Sequence, residues 1–368
     1  MSTKVPEAQT EIFAKKLAQY KELIDADIAA YTKAIQTSTL QNYGADSRVA
    51  VDAYLAILSR GGKRVRGALA MVGYEMMGGT DKKMILAAAR ALEMIHAYIL
   101  IMDDIQDRSL IRRGGPSANA EIANYHQKHH LSGDSDHFGV SLALNAMGVG
   151  NHAAQVIVAN LDADADLRLK ALSILNQALI VTVHGQTNDI MNEVKSHTTM
   201  QDVDNVLEWK TAYYTFLNPI TFGMVLAGAD CAATDAVREY SLNAGRAFQI
   251  TDDILGTFGE EFESGKSPFD DIKEGKRTIL ILHALENASS ADKNFLIQML
   301  GNQNINQTEF DRCKDILIET GALDFARNEA EKCTHKAIVS IKSQKIDWDQ
   351  SGVDFLTGLA EALVNRKT

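Results

Sequence analysis

The chain has 368 residues, of which 46% are apolar and only four are proline, and it carries a formal charge of −11. That length and apolar content suffice to bury a large core, and the scarcity of proline permits long uninterrupted helices. The acidic balance, with no compensating block of positive charge, argues against a nucleic-acid partner, and three cysteines without metal-ligand spacing argue against a disulfide scaffold or a zinc site.

The N-terminus, Met1 to Thr10, has neither a basic n-region nor an apolar h-region, so no secretory signal is expected, and the three cysteines fit a reducing cytoplasm. Glu11 to Ile35 and Ser47 to Leu58 are amphipathic, and Ser59-Arg60-Gly61-Gly62 breaks the pattern before a basic helix start at Lys63. Met84 to Met102 is almost continuously apolar and near bilayer length, but Arg90, Glu93 and His96 sit inside it, so it reads as a core helix and not a transmembrane segment. A turn carrying two cations, Arg112-Arg113-Gly114-Gly115-Pro116, follows, and His126 to His137 reads as a polar, histidine-rich loop. Helical patterns resume over Gly139 to Leu161, Leu167 to Asn192 and Met200 to Gly228, the last kinked or split near Pro219. Ala236 to Gly256 is a further apolar run, Glu260 to Gly275 an acidic loop, and the remainder to Thr368 amphipathic helix. With no strand signal, repeat or linker, the expected fold class is all-α. Residues 1–368 are expected to form one domain, a single large helical bundle around a central cavity, with 1–40 as an N-terminal helical extension and 41–368 as the bundle.

The unusual residues in these elements are carboxylates. Asp103, Asp104 and Asp107 close the first apolar run, and Asp252 and Asp253 interrupt the second. Aspartate is almost never buried unpaired, so two such clusters, each followed by basic residues, point to a wet cation-binding cavity and away from solvated helix ends. At 100° per residue Asp103 and Asp107 share a face, about 6 Å apart along the axis, with His96 two turns upstream; Arg246, Gln249 and Asp253 repeat the spacing on the second helix. Hard oxygen donors at this density suit Mg²⁺, which prefers a few carboxylates plus substrate phosphates to a closed protein cage. A diphosphate is the natural third partner.

Gly61-Gly62-Lys63-Arg64-Val65-Arg66 opens a helix with permissive backbone and cations, an arrangement that receives phosphate. It gains weight from His96, Arg112 and Arg113, because a diphosphate needs donors from several segments. Gly265-Lys266 and Gly275-Lys276-Arg277-Thr278 flank Asp270-Asp271. A P-loop is excluded there, since Asp270 stands where glycine is required and Arg277 replaces the Ser or Thr after the lysine. Glu93-Met94-Ile95-His96 is a Glu-x-x-His step of the di-iron kind, but no second copy occurs and the aspartate density favours the harder cation.

Asp103-Asp104-Ile105-Gln106-Asp107, Ile111-Arg112-Arg113-Gly114-Gly115-Pro116 and Phe248-Gln249-Ile250-Thr251-Asp252-Asp253-Ile254-Leu255-Gly256 together resemble the ordered motifs of the short-chain trans-isoprenyl diphosphate synthases, close to geranylgeranyl and farnesyl diphosphate synthases. The resemblance runs from about Leu55 to Ala284, and Lys210-Thr211-Ala212 and Gly185-Gln186 with Asp189 match further segments of it. It implies the isoprenoid-synthase type of bundle and a homodimer. It implies that Asp103, Asp107 and Asp252 ligate three Mg²⁺ ions, with Asp104 and Asp253 in support and Mn²⁺ as an alternative ion. Arg112, Lys210, Thr211, Gln249, Lys266 and Lys276 would then contact the allylic diphosphate, while Lys63, Arg66, His96 and Arg113 hold isopentenyl diphosphate. Three departures stand out: Gly67 where proline is usual, which loosens that helix start, Gly256 where some members carry a third aspartate, and Asn145-Ala146-Met147 where Gly-Asp is frequent.

The implied reaction ionises an allylic diphosphate to a carbocation, which the isopentenyl double bond attacks before a proton is lost. For product length, Ile99 lies one turn deeper on the metal face, whereas Tyr98 is rotated away by helical angle and takes its role as a tunnel floor from the resemblance. With no two-residue insertion between Asp104 and Asp107, the pattern resembles synthases that stop at C20, so the resemblance implies a C20 product, with C15 as the alternative. A terpenoid cyclase would share the first cluster but would not need Lys63, Arg66 or Lys276 for a second diphosphate. A non-catalytic partner subunit would usually have lost one of the aspartate clusters.

Overall fold

Helix α1 (Glu7–Ser59) covers both N-terminal amphipathic stretches and breaks at Gly44, whose backbone (φ 83°, ψ 179°) is not helical. The computed structural model describes residues 7–259 and 269–364. The expected junction between residues 40 and 41 lies inside α1, just ahead of that break. Helix α2 (Val65–Met76) begins after Arg64, and α3 (Lys82–Gln106) after Asp81. Asp81 accepts hydrogen bonds from the amides of Lys83 and Met84 at 3.0 and 2.9 Å, satisfying two donors that the first turn leaves without helical partners. By length and composition α3 is the one helix among the described residues apolar enough to cross a bilayer, yet most of its circumference is buried protein core, Met84, Ile85, Ala88, Leu92, Met94, Ile95 and Ile101 included.

A two-residue hairpin follows α3, β1 (Ile111–Arg112) pairing antiparallel with β2 (Gly115–Pro116). The stretch His126 to His137, expected as loop, is helical at both ends: α4 (Ala118–Lys128) runs past His126 and α5 (Ser135–Ala159) takes in His137, leaving 129–134 as the connection. Packing overrides polarity here. The ring of His126 is buried, 5.0 Å from that of Phe138, with Nε2 3.2 Å from the Ser132 carbonyl, and Asp134 caps α5 by accepting from the amides of Asp136 and His137.

Helices α6 (Ala165–Val194) and α7 (Met200–Val206) lead into a π-helical segment, Leu207–Leu217, continued by α8 (Asn218–Leu226). The break expected near Pro219 is therefore this change of helical winding just before it. Pro219 itself is the second residue of α8. After α9 (Cys231–Ala236) comes α10 (Arg238–Phe258), which carries Asp252 and Asp253. Asp270–Glu274, expected within a loop, forms a short helix that ends on Gly275 in the left-handed region. The C-terminal helices include Ile279–Asn287, Gln307–Glu319, Ala322–Lys342 and Gln350–Val364.

Contacts group these elements into two compact units. One comprises 15–173 with 222–228, and its core is built where α2, α4 and α5 pack with α3. The other comprises the described parts of 1–14, 174–221 and 229–368. There α10 lies against the π-helical segment, Ala322–Lys342 and Gln350–Val364, and Ile250, Ile254, Leu280, Phe310 and Leu317 contribute to its core.

Candidate active site

In the first unit the loop between α1 and α2 meets the hairpin. Gly62 has φ +118°, and a Cβ there would lie 2.9 Å from Nη2 of Arg113, so the glycine is what lets that guanidinium lie against the loop carrying Lys63. Arg113 reaches further, donating from Nη1 to the Ile57 carbonyl at 3.3 Å. Arg60 reaches back the other way, to the Pro116 carbonyl and to Glu121 at 2.7 Å. His96 stands on the partly buried face of α3. Burial, then Arg66, Arg113, Arg112 and Arg64, hold its imidazole well below the usual range. Burial likewise pulls Arg113 down to about 10; Glu93 opposes this, and Arg64, Arg66 and Arg112 add to it. Positive charge is thus concentrated enough to oppose itself, the condition that an arriving polyanion relieves.

The carboxylates of α3 lie at its C-terminal end, where the helix dipole is unfavourable to negative charge. Asp104 is completely buried and is answered by Arg112, whose Nε donates to Oδ1 at 2.7 Å and whose Nη2 also meets that oxygen. The same Nη2 lies 3.3 Å from Asp103 Oδ2. Burial works against charge on Arg112, but Asp104, Asp103 and Asp107 outweigh it and hold its pKa above the ordinary value. Asp103 and Asp107 are one turn apart, the Asp107 amide donating to the Asp103 carbonyl at 2.8 Å, and both are partly exposed. One turn deeper on α3, Tyr98 and Ile99 are half-buried, and burial pushes the Tyr98 hydroxyl up.

In the second unit, a Cβ on Gly185 would lie 2.3 Å from the Lys210 amide, so α6 touches the backbone of the π-helical segment at Lys210. One turn along α6, Asp189 receives Lys210 Nζ at 2.6 Å. Lys276 Nζ reaches Glu274, Glu193 and Asp189 at 3.2, 3.4 and 3.6 Å. A hydrogen-bond chain runs from Thr211 Oγ1 to Gln249 Oε1 and from Gln249 Nε2 to Asp253 Oδ1, each 2.8 Å. Asp253 is buried, and its carboxyl is raised well above the ordinary range by burial first, then by Asp271, with Asp252 and Asp189 adding and Gln249 opposing. Gly256 leaves room for Asp271: a Cβ at 256 would sit 2.7 Å from Asp271 Oδ2. Lys266 lies outside the described residues.

Lys63, Arg66, His96, Asp103, Asp104, Asp107, Arg112 and Arg113 thus belong to one unit, and Lys210, Thr211, Gln249, Asp252, Asp253 and Lys276 to the other. Among the described residues no three His, Cys, Asp or Glu side chains form a preformed metal cage. The donor set is all hard carboxylate oxygen, suited to a divalent ion that completes its shell with water and phosphate. Sequence reasoning passed over Asp271 as a partner of the second cluster. Its one signal was the lysines flanking Asp270-Asp271, and its proximity to Asp253 depends on how Asp270–Glu274 packs on α10.

A family model described as polyprenyl synthetase matches residues 48–317. A geranylgeranyl diphosphate synthase from Sulfolobus acidocaldarius is 31% identical over 313 residues, 84% of this chain and 89% of that protein. A geranylfarnesyl diphosphate synthase from Aeropyrum pernix is 28% identical over 318 residues, 85% of this chain and 93% of that protein. Among solved structures, a geranylgeranyl pyrophosphate synthase from Corynebacterium glutamicum, complexed with isoprenyl diphosphate and magnesium, superposes with a TM-score of 0.90 at 28% identity, covering 95% of this chain and 99% of that one.

Proposed function

This chain belongs to the polyprenyl synthetase family and is an all-α trans-isoprenyl diphosphate synthase, and from that premise we propose that it condenses isopentenyl diphosphate with dimethylallyl, geranyl and farnesyl diphosphates to give geranylgeranyl diphosphate, C20. The observation that carries the substrate class is the gathering of Arg64, Arg66, Arg112 and Arg113 about His96, where burial first and then mutual repulsion lower the proton affinity of His96 and Arg113. A ligand of several negative charges relieves that repulsion; a neutral one does not.

Lys63, Arg66, His96 and Arg113 hold isopentenyl diphosphate in this reading. Arg112, Lys210, Thr211, Gln249 and Lys276, with Lys266, contact the allylic diphosphate. Asp103 and Asp107, supported by Asp104, and Asp252, supported by Asp253, would hold Mg²⁺, three ions in all, with Mn²⁺ as an alternative. The donors fit: the carboxylates around Asp253 repel one another, and a bound cation would remove that penalty. Bound there, Mg²⁺ supplies Lewis-acid stabilisation of the negative charge on the departing diphosphate.

The protein's own cations do the same work from fixed positions. Lys210 and Lys276, each held by carboxylates at 2.6 to 3.6 Å, and Arg112, held by Asp103 and Asp104, are oriented before substrate arrives. As the allylic C–O bond breaks, its electron pair leaves with diphosphate; the isopentenyl double bond forms the new C–C bond, and a proton passes to the released diphosphate. Tyr98, with Ile99, ends the tunnel for the growing chain. A homodimer in the cytoplasm completes the reading, supported by the exposed apolar side chains of α5 and α6, among them Leu144, Val149, Val156, Ile180 and Val183.

The test incubates the purified protein with Mg²⁺, isopentenyl diphosphate and each allylic starter, and resolves products by chain length. C20 as the end product, lengthening in Tyr98→Ala, is expected. A C15 or C25 end product would move the floor elsewhere, and no elongation from any starter by folded protein would refute the synthase reading.

A further inference from the structure

Arg64 and Glu93, which the roles above leave unused, are both almost completely buried, at 3% and 1% exposure. Arg64 is the residue between Lys63 and α2, and its backbone is left-handed at φ 52°, ψ 33°, a conformation that a side chain other than glycine adopts only when its surroundings impose it. Three acceptors from three places hold its guanidinium. Nε donates to Asp25 Oδ1 at 2.8 Å, Nη2 to the Leu58 carbonyl at 2.8 Å, and Nη1 to Glu93 Oε2 at 3.4 Å. Asp25 lies in the first half of α1, Leu58 at its C-terminal end and Glu93 on α3, one turn before His96. The planar fork of arginine matches such a set, and a lysine in its place has no comparable geometry.

Glu93 spends its second oxygen on the same loop. Oε1 accepts from the Gly67 amide at 2.9 Å, one of the first-turn donors of α2 that has no helical partner. A proline at 67 has no N–H to offer, so this bond requires a residue other than proline there. The looser helix start expected from Gly67 is replaced by an anchored one: Glu93 ties down both the residue before α2 and the third residue within it.

We propose that Arg64, clamped by Asp25, Leu58 and Glu93, is a positioning residue that sets the direction of Lys63 and Arg66 toward isopentenyl diphosphate, so that the N-terminal helix takes part in substrate affinity. This rests on the assignment of Lys63 and Arg66 to that substrate. Breaking a buried ion pair on one side leaves a charge without compensation, and the loop relaxes to water it. Relaxation displaces the two cations that flank Arg64, and displacement of a binding group by about 1 Å is enough to cost a large factor. The allylic diphosphate is held elsewhere and is untouched by it.

The experiment compares Glu93→Gln, Asp25→Asn and Lys63→Ala in the full chain with Mg²⁺, varying isopentenyl diphosphate and farnesyl diphosphate separately. Expected in both Glu93→Gln and Asp25→Asn is a rise of about tenfold or more in KM for isopentenyl diphosphate, with kcat and the KM for the allylic substrate within about twofold. A purely structural role moves all three together or only the melting temperature, and that result overturns the proposal. Asp25 lies at the partly exposed rim of the pair, so Asp25→Asn decides the matter should Glu93→Gln fail to fold. If Lys63→Ala raises this KM while the other two leave it unmoved, positioning fails and the substrate assignment stands. If Lys63→Ala leaves it unmoved, the assignment itself fails and the inference with it.

Discussion

Asp104 and Asp253 are both buried aspartates toward the C-terminal ends of apolar helices, and their surroundings are opposite. Asp104 meets the fork of Arg112, so the cluster with Asp103 and Asp107 carries its own counter-charge. Asp253 meets a neutral amide, Gln249, and the negative fields of Asp271, Asp252 and Asp189. The first unit adds to its cluster a surplus of cations around His96, whereas in the second the nearby lysines are engaged by Asp189, Glu193 and Glu274. Two motifs alike in sequence therefore have different surroundings, a guanidinium beside the first and further carboxylates beside the second.

Three experiments break or sharpen that contrast. The largest effect is expected from Asp252→Ala and Asp103→Ala, each lowering kcat on the order of a hundredfold or more in the steady-state condensation assay. Near wild-type turnover in either variant would show that one cluster suffices. A smaller effect is expected from Asp253→Asn on metal-free protein. A carboxyl whose pKa is raised on folding contributes stability below its unfolded value of 3.8 and loses it as pH rises through the folded value. The variant is therefore expected to melt a few degrees above wild type at neutral pH, with the gap closing toward acid and on adding Mg²⁺ to wild type. A gap that does not depend on pH would remove the repulsion from the account of this site.

The smallest expected effect has the opposite sign. His96 has its pKa lowered on folding, so the unfolded chain takes up a proton that the folded one refuses, and stability falls as pH drops below the usual 6.5. Melting temperatures followed between about pH 5 and 8 should show that slope in wild type and a shallower one in His96→Gln, above the background of the other histidines. An unchanged slope would mean that the cationic surroundings do not act on this imidazole.

Much of this was legible in the chain. The apolar run from Met84 to Met102 announced α3 as a core helix, and the spacing of Gln249 and Asp253 put both on one face of α10, where they are hydrogen-bonded. The histidine-rich stretch misled because residue type was weighed without packing: His126 is polar by nature but is buried against Phe138. Gly256, a departure when aligned by motif, has a neighbour in Asp271 that no local pattern names. Asp25 gave no sign at all, because its partner Arg64 is 39 residues away.

By itself, the sequence determined the all-α class, the extent of the long helices and the identity of the two aspartate clusters, since periodicity, capping and carboxylates inside apolar runs are local properties of a chain. Only the tertiary structure decided what each carboxylate faces. Asp104 finds Arg112 a few residues on, but Asp253 finds Asp271 and Asp189, and Arg64 finds Asp25 and Glu93, through helix packing. The energy of a buried charge depends on its distance to every other charge in a low-dielectric surrounding, and those distances exist only once the helices have packed.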